Sequence, residues 1–264
     1  METARSTGDL GIRGLRRRDV SSRRGAGFPH ATRATVPGGT VIDSEPVGDW
    51  IRILRVGRPP GFEFEAGQYA RISCGGSRSR KFSIASAPND SQLEFCIGLN
   101  PEGEVTPCLF SLGPGSQVGV AADASGSFRL EERATHHVMV ATATGVAPIR
   151  SMLRSALHAR SSSRFTILHG ASRLADLPYR AELEELAATH PTVSYVPTVS
   201  RPQEASNRGW AGATGRVEAL LEAHLGELTG ARTCVYACGN PGMIANVRSL
   251  AEARNLRVRT ESFG

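Results

Sequence analysis

The chain has 264 residues, 40% hydrophobic and 21% charged, which is enough for two ordinary domains with separate cores, and no apolar run approaches the roughly 20 residues that cross a bilayer. A net charge of +6 and a sequence pI near 9.5 at first point to an acidic partner. The excess is local, however: residues 1–33 hold eight Arg against Glu2, Asp9 and Asp19, whereas the rest carries 23 basic and 22 acidic residues, so the body of the chain offers no nucleic-acid-binding face.

In chain order, residues 1–33 are rich in Arg, Ser and Gly without a hydrophobic period, the composition of a disordered basic tail. Residues 34–132 contain the short β-type runs WIRILRV, QYARISC, KFSIAS, LEFCIGL and QVGVAA, separated by GRPPG, CGGS, APND, NPEG and LGPGS. Strands broken by Gly/Pro turns at this spacing predict a small antiparallel β-barrel.

The texture changes over residues 133–264. The apolar run HVMVA is followed by Ile149, Met152, Leu153, Ala156 and Leu157, a helical stripe that begins at Pro148. The strand-like runs FTILHG, VSYVPTV, CVYACG and VRVRTESF alternate with further helical stripes at Leu183, Val217 and Met243. This alternation predicts an α/β doubly wound parallel sheet after the barrel. Such sheets bind ligands at the carboxyl ends of their strands, where this sequence places TATGVAP, HGASR, TVSRP and CGNPG.

Five cysteines, Cys74, Cys96, Cys108, Cys234 and Cys238, are widely spaced. Their odd number and lack of a framework predict reduced thiols in a cytoplasmic protein, with no zinc or iron–sulfur cluster. His136 and His137 are adjacent and so point to opposite faces of a strand, and with His169 they leave no third ligand at suitable spacing; no metal is expected.

Four further segments carry chemistry. In Arg80-Lys81-Phe82-Ser83 a guanidinium, a flat ring and a hydroxyl follow one another, and taken alone the segment reads equally as an amphipathic strand. Gly103-Glu104-Val105-Thr106-Pro107-Cys108-Leu109 has the form of a turn into a short helix, whose backbone N–H groups suit a phosphate. Ala141-Thr142-Ala143-Thr144-Gly145-Val146-Ala147-Pro148 turns a strand into a helix. Cys238-Gly239-Asn240-Pro241-Gly242-Met243 does the same later in the chain.

In this order, a barrel and then an α/β domain, the segments resemble the ferredoxin–NADP reductase superfamily, without an iron–sulfur domain, over roughly residues 34–264. RKFS is similar to the family's R-x-[YF]-[ST] flavin motif, GEVTPCL to its G-x-x-[ST]-x-x-L pyrophosphate segment, TATGVAP to G-T-G-x-A-P, and CGNPGM to C-G-x-P-x-M. The resemblance implies an FAD-binding barrel over 34–132 and an NAD(P)-binding domain over 133–264. FAD would be held by Arg80, Phe82, Ser83, Gly103, Val105 and Thr106, with Phe263 shielding the ring. The nucleotide would be held by Thr144, Gly145, Pro148, Gly239, Pro241 and Met243. Ser83, Cys238 and Glu261 are the implied catalytic residues, Cys238 by packing beside the hydride path and Glu261 as a proton relay.

Ser200, Arg201 and Arg208 suit the 2′-phosphate of NADPH, while the Gly209–Gly215 loop resembles one of NADH-using oxygenase reductases. NADPH is the expected donor, with NADH as an alternative. The implied activity is transfer of hydride from NAD(P)H to FAD, then of electrons to a separate redox protein such as ferredoxin or flavodoxin. Alternatives are the reductase component of a monooxygenase, a free flavin or ferric reductase, and a non-catalytic nucleotide-binding redox sensor. Ala143, standing where the family has Gly, favours the last of these.

Overall fold

The structure, a computed structural model, describes residues 38–76, 78–226 and 232–262. The basic tail and Phe263 lie outside these residues.

Six strands form an antiparallel sheet: β1 (Gly38–Val47), β2 (Ile51–Gly57), β3 (Tyr69–Ser73), β4 (Arg80–Ser83), β5 (Gln92–Gly98) and β6 (Gln117–Val120), in the order β4-β3-β6-β1-β2-β5. A bridge between Ile84 and Phe95, with Ala85 N–H donating to Glu94 O at 2.7 Å, joins the end of β4 to β5 and closes the barrel. Leu54, Ile72, Ile84 and Phe95 fill its core. Strand β1 was absent from the sequence expectation. Its residues GGTVIDSEPV alternate poorly, and Ile42 is 48% exposed, so the run lacks a clean period-2 signal. A short helix α1 (Val105–Phe110) precedes β6.

One expectation about the cysteines is overturned. Cys74, just past β3, and Cys108, in α1, form a disulfide with Cα atoms 5.9 Å apart. The residues are 34 positions apart and meet only because the barrel folds α1 back onto β3; no local spacing announces such a pair. Cys96, Cys234 and Cys238 are free and buried.

The second sheet is parallel, with β7 (His136–Thr142), β8 (Arg164–Ala171), β9 (Val193–Val199), β11 (Thr233–Cys238) and β12 (Arg257–Glu261), plus the two-residue β10 (Ala213–Thr214). Its order is β10-β9-β8-β7-β11-β12, so the strand order reverses between β7 and β11. Alternation along β7 explains the double winding. Met139 and Ala141 pack on one face with α2 (Val146–His158) and α3 (Arg180–Thr189). Val138 and Val140 pack on the other with α4 (Val217–Leu225) and α5 (Pro241–Glu252).

A buried polar clasp joins the two sheets. Arg150 on α2 pairs with Glu94 on β5 at 3.0 Å and with Glu182 on α3 at 2.7 Å, and donates to the Ala85 carbonyl at 2.8 Å. Ser151 donates to the Ser86 carbonyl at 2.6 Å. Because these carbonyls directly follow β4, the helix that opens at the β7 turn is tied to the end of the Arg80–Ser83 strand.

Candidate active site

At the reversal point the ends of β7 and β11 meet. Gly239 has φ of 137°, and a Cβ there would sit 2.1 Å from Thr142 Oγ1. A Cβ on Gly145 would lie 2.2 Å from the Cys238 carbonyl oxygen. Both positions therefore require glycine, and at Gly145 the tight neighbour is protein backbone. Thr142 Oγ1 also accepts from Asn240 N–H at 2.8 Å, and Asn240 caps α5 by accepting from Gly242 N–H.

Ala143 adopts φ of 46°, left-handed backbone that strains a residue with a Cβ. Its carbonyl accepts a bond from His169 Nε2 at 3.0 Å. A carbonyl only accepts, so Nε2 carries the proton and Nδ1 accepts from the Tyr195 hydroxyl at 3.1 Å. Burial pulls the His169 pKa down to about 4 and keeps the ring neutral. The strained turn is thus pinned from beneath by a fully buried side chain.

Above this turn lies a pocket of about 890 Å³ that runs across the carboxyl ends of the parallel strands. Thr144, Gly145, Ser200, Arg201, Gly239, Pro241 and Met243 line it, as expected, and Pro148 is buried in the first turn of α2 beside it. Arg208 does not line it: Asn207 is buried, and the next side chain turns outward to solvent. The lining cations are Arg173, Arg201 and Arg216. Sequence reasoning missed Arg173 and Arg216, although each stands in a strand-end loop, HGASR and ATGR, where an Arg signals an anion. Trp50 was also missed. It comes from the β1–β2 turn and donates to Asp176 at 2.8 Å across the sheets, a contact with no local signal.

A second pocket, about 250 Å³, is lined by Arg80, Phe82, Ser83, Gly103, Val105 and Thr106 from the barrel and by Thr144 and Ala147 from the α/β side. Thr144 lines both pockets, so the two spaces adjoin. An adjacent space of about 810 Å³ gathers Arg71, Arg78, Arg80 and Lys81 against Gly103–Val105. Thr106 also holds its own turn. Its hydroxyl donates to Asn100 O at 3.1 Å and accepts from Asn100 N–H at 2.9 Å, so its proton is already used in closing the 100–106 turn.

Ser83, Cys238 and Glu261 come together although they lie on β4, β11 and β12. Cys238 and Glu261 are register partners. The Ser83 hydroxyl and Glu261 Oε2 are buried and make no hydrogen bond to another protein group. Burial pushes the Glu261 carboxyl up to about 7, opposed at short range by the Ser83 hydroxyl and the Lys81 ammonium. Burial likewise pushes the Cys238 thiol well above its ordinary value, with the Glu261 charge adding to the effect. The thiol is therefore held in its neutral form. Among the described residues no His/Cys/Asp/Glu group is placed to hold a metal, and no helix is long and apolar enough to cross a membrane.

A family model for the oxidoreductase NAD-binding domain matches residues 139–249. Ferredoxin–NADP reductase B of Sorangium cellulosum (strain So ce56) is 34% identical over 80% of this chain and 89% of its own. The flavodoxin/ferredoxin–NADP reductase of Escherichia coli (strain K12) is 29% identical over 72% of this chain and 79% of its own. The reductase component of the Pseudomonas putida naphthalene 1,2-dioxygenase system is 29% identical over 78% of this chain, and the match spans 61% of that relative's length. A crystal structure of a ferredoxin NADP+ reductase from Neisseria gonorrhoeae, with bound FAD and NADP, has a TM-score of 0.76 at 21% identity, covering 87% of this chain and 99% of that one. The last likeness speaks for the fold.

Proposed function

The chain belongs to the ferredoxin–NADP reductase family, and from that premise we propose that it is an FAD-dependent NAD(P)H oxidoreductase that passes electrons to a separate redox protein. The barrel, 34–132, is read as the FAD domain and 133–264 as the NAD(P) domain. The observation that carries the reading is the shared wall at Thr144: a slot with an orphaned buried hydroxyl adjoins a large pocket at the reversal point of the parallel sheet.

The residues of the slot fit FAD. Phe82 offers a flat apolar face to a ring system, and Arg80, with Arg71, Arg78 and Lys81 nearby, suits a diphosphate. Ser83 Oγ is a buried donor with no protein partner, as a hydrogen bond to a ring nitrogen requires. Bound flavin supplies two-electron uptake from a nicotinamide and one-electron release to an acceptor. The protein groups do the rest. Thr144 and Ala147 bring the nucleotide turn against the slot. Glu261 holds a proton near neutral pH beside Ser83, and neutral Cys238 keeps the junction packed.

The 2′-phosphate of NADPH is assigned to Arg173, Arg201 and Arg216 together with Ser200, and NADH is a second donor. For the acceptor we favour a small iron–sulfur or flavin protein. The oxygenase-system relative motivates the second reading, delivery to an oxygenase component. A cytoplasmic location belongs to the same proposal; the Cys74–Cys108 bond must then survive a reducing compartment, which thiol counting on freshly lysed cells tests. Purified protein is expected to be yellow and to bleach anaerobically with NADPH. Colourless protein that takes up no FAD would sink the reading. Stopped-flow reoxidation by ferredoxin, flavodoxin and free flavin then sorts the acceptors; reduction of free flavin or iron complexes alone would remove the protein acceptor.

A further inference from the structure

We propose that Glu204, which does not itself line the nucleotide pocket, determines its nucleotide specificity through two arginines that do, Arg173 and Arg201, which suit the adenosine 2′-phosphate of NADPH. The proposal rests on the reading that the large pocket takes a nicotinamide dinucleotide. Its nicotinamide end must lie at Thr144, where the pocket adjoins the flavin slot. The adenosine end then falls at the ends of β8 and β9, where Arg173, Ser200 and Arg201 line the wall.

At that end one carboxylate serves both guanidinium groups. Glu204 accepts from Arg173 Nε at 3.3 Å and from Arg201 Nη1 at 3.1 Å. An ion pair this exposed adds little to stability, so the arrangement matters for what can bind there. It is also built. Asn207, 2% exposed, donates to Ser172 O at 3.0 Å and to Arg201 O at 2.8 Å. Its Oδ1 accepts from Leu174 N–H at 2.7 Å. These bonds fasten the loop bearing Arg173 to the loop bearing Arg201, and Glu204 N–H closes a turn on Arg201 O at 3.0 Å. The carboxylate is therefore held at the junction of the two loops.

Two ligand chemistries meet there. A plain ribose carries no charge, so it is indifferent to how far the arginine charge is offset. A 2′-phosphate offers a dianion, which arginines bind and a carboxylate repels. An arginine pair whose charge is already half offset by Glu204 gains less from the phosphate. The expected result for the wild-type protein is use of both nucleotides, with kcat/KM values within about tenfold of each other.

The test is Glu204→Gln, which keeps the shape and removes the charge. The expected result is a fall of about tenfold in KM for NADPH at unchanged kcat, with KM for NADH unchanged. A binding readout without turnover is the titration of adenosine 2′,5′-bisphosphate against AMP, followed by tryptophan fluorescence: only the bisphosphate should tighten in the variant. Asp49→Asn is the control, because Asp49 is 92% exposed and 3.8 Å from Arg173; its nucleotide ratio should stay within about twofold of wild type. A Glu204→Gln ratio that moves by less than about twofold, equal tightening of both ligands, or an equal effect from Asp49→Asn overturns the proposal. Wild-type flavin bleached by neither nucleotide overturns this proposal and the proposed function together, whereas bleaching by both with an unmoved ratio overturns this proposal alone.

Discussion

The two pockets are built in opposite ways. The smaller draws its barrel side from three short segments, 80–83, 96–100 and 103–106, and the Cys74–Cys108 disulfide staples the neighbourhoods of the first and last. The larger draws on loops after five strands of the parallel sheet and on the β1–β2 turn, and two of its three cations, Arg173 and Arg201, are already ion-paired. A stapled slot with an orphaned donor suits a resident group, whereas an open cleft with partly paired charges suits a ligand that comes and goes. The Arg150 clasp holds the two at a fixed separation, so that the shared wall at Thr144 stays in register.

The comparison breaks most severely if the clasp is cut. Arg150→Met leaves Glu94, 6% exposed, with one of its cationic partners gone, and should cost about 3–5 kcal/mol in urea denaturation. Unchanged stability would mean that the two sheets do not depend on this contact. Next in size is the staple. A Cys74→Ala/Cys108→Ala variant should lose about 3 kcal/mol and release FAD more readily, with nucleotide affinity unchanged. If nucleotide binding weakened equally, the slot and the cleft would not be separable as argued.

The smallest effect sharpens the junction. Glu261 has its pKa raised from 4.5 to about 7 by burial, so the fold favours the protonated acid. The stability this contributes is full below about pH 4.5 and is lost as pH rises through about 7. Glu261→Gln stays neutral throughout. It should therefore gain stability relative to wild type at pH 8 but not at pH 4, and its rate of flavin reduction should lose any inflection near 7. An inflection that survives in the variant would assign the proton to another group.

Several features were legible in the chain itself. The period-2 runs and Gly/Pro turns announced a barrel, and alternation with helical stripes announced a parallel sheet, because backbone geometry imposes those periods locally. TATGVAP and CGNPGM were legible as strand ends that turn into helices and GEVTPCL as a turn into a short helix, whereas RKFS, alone an amphipathic strand, was marked only by the family resemblance. What the sequence could not announce were meetings between distant segments. Cys74 with Cys108, Trp50 with Asp176, Glu94 with Arg150, and Glu204 between Arg173 and Arg201 depend on the strand order of each sheet, which no local period encodes. The same holds for the environments. Ser83, Cys238 and Glu261 could be picked out by motif, but the raised acid and the neutral thiol arise from burial at the point where β4 meets the ends of β11 and β12, and only the tertiary structure decides which groups lose their water.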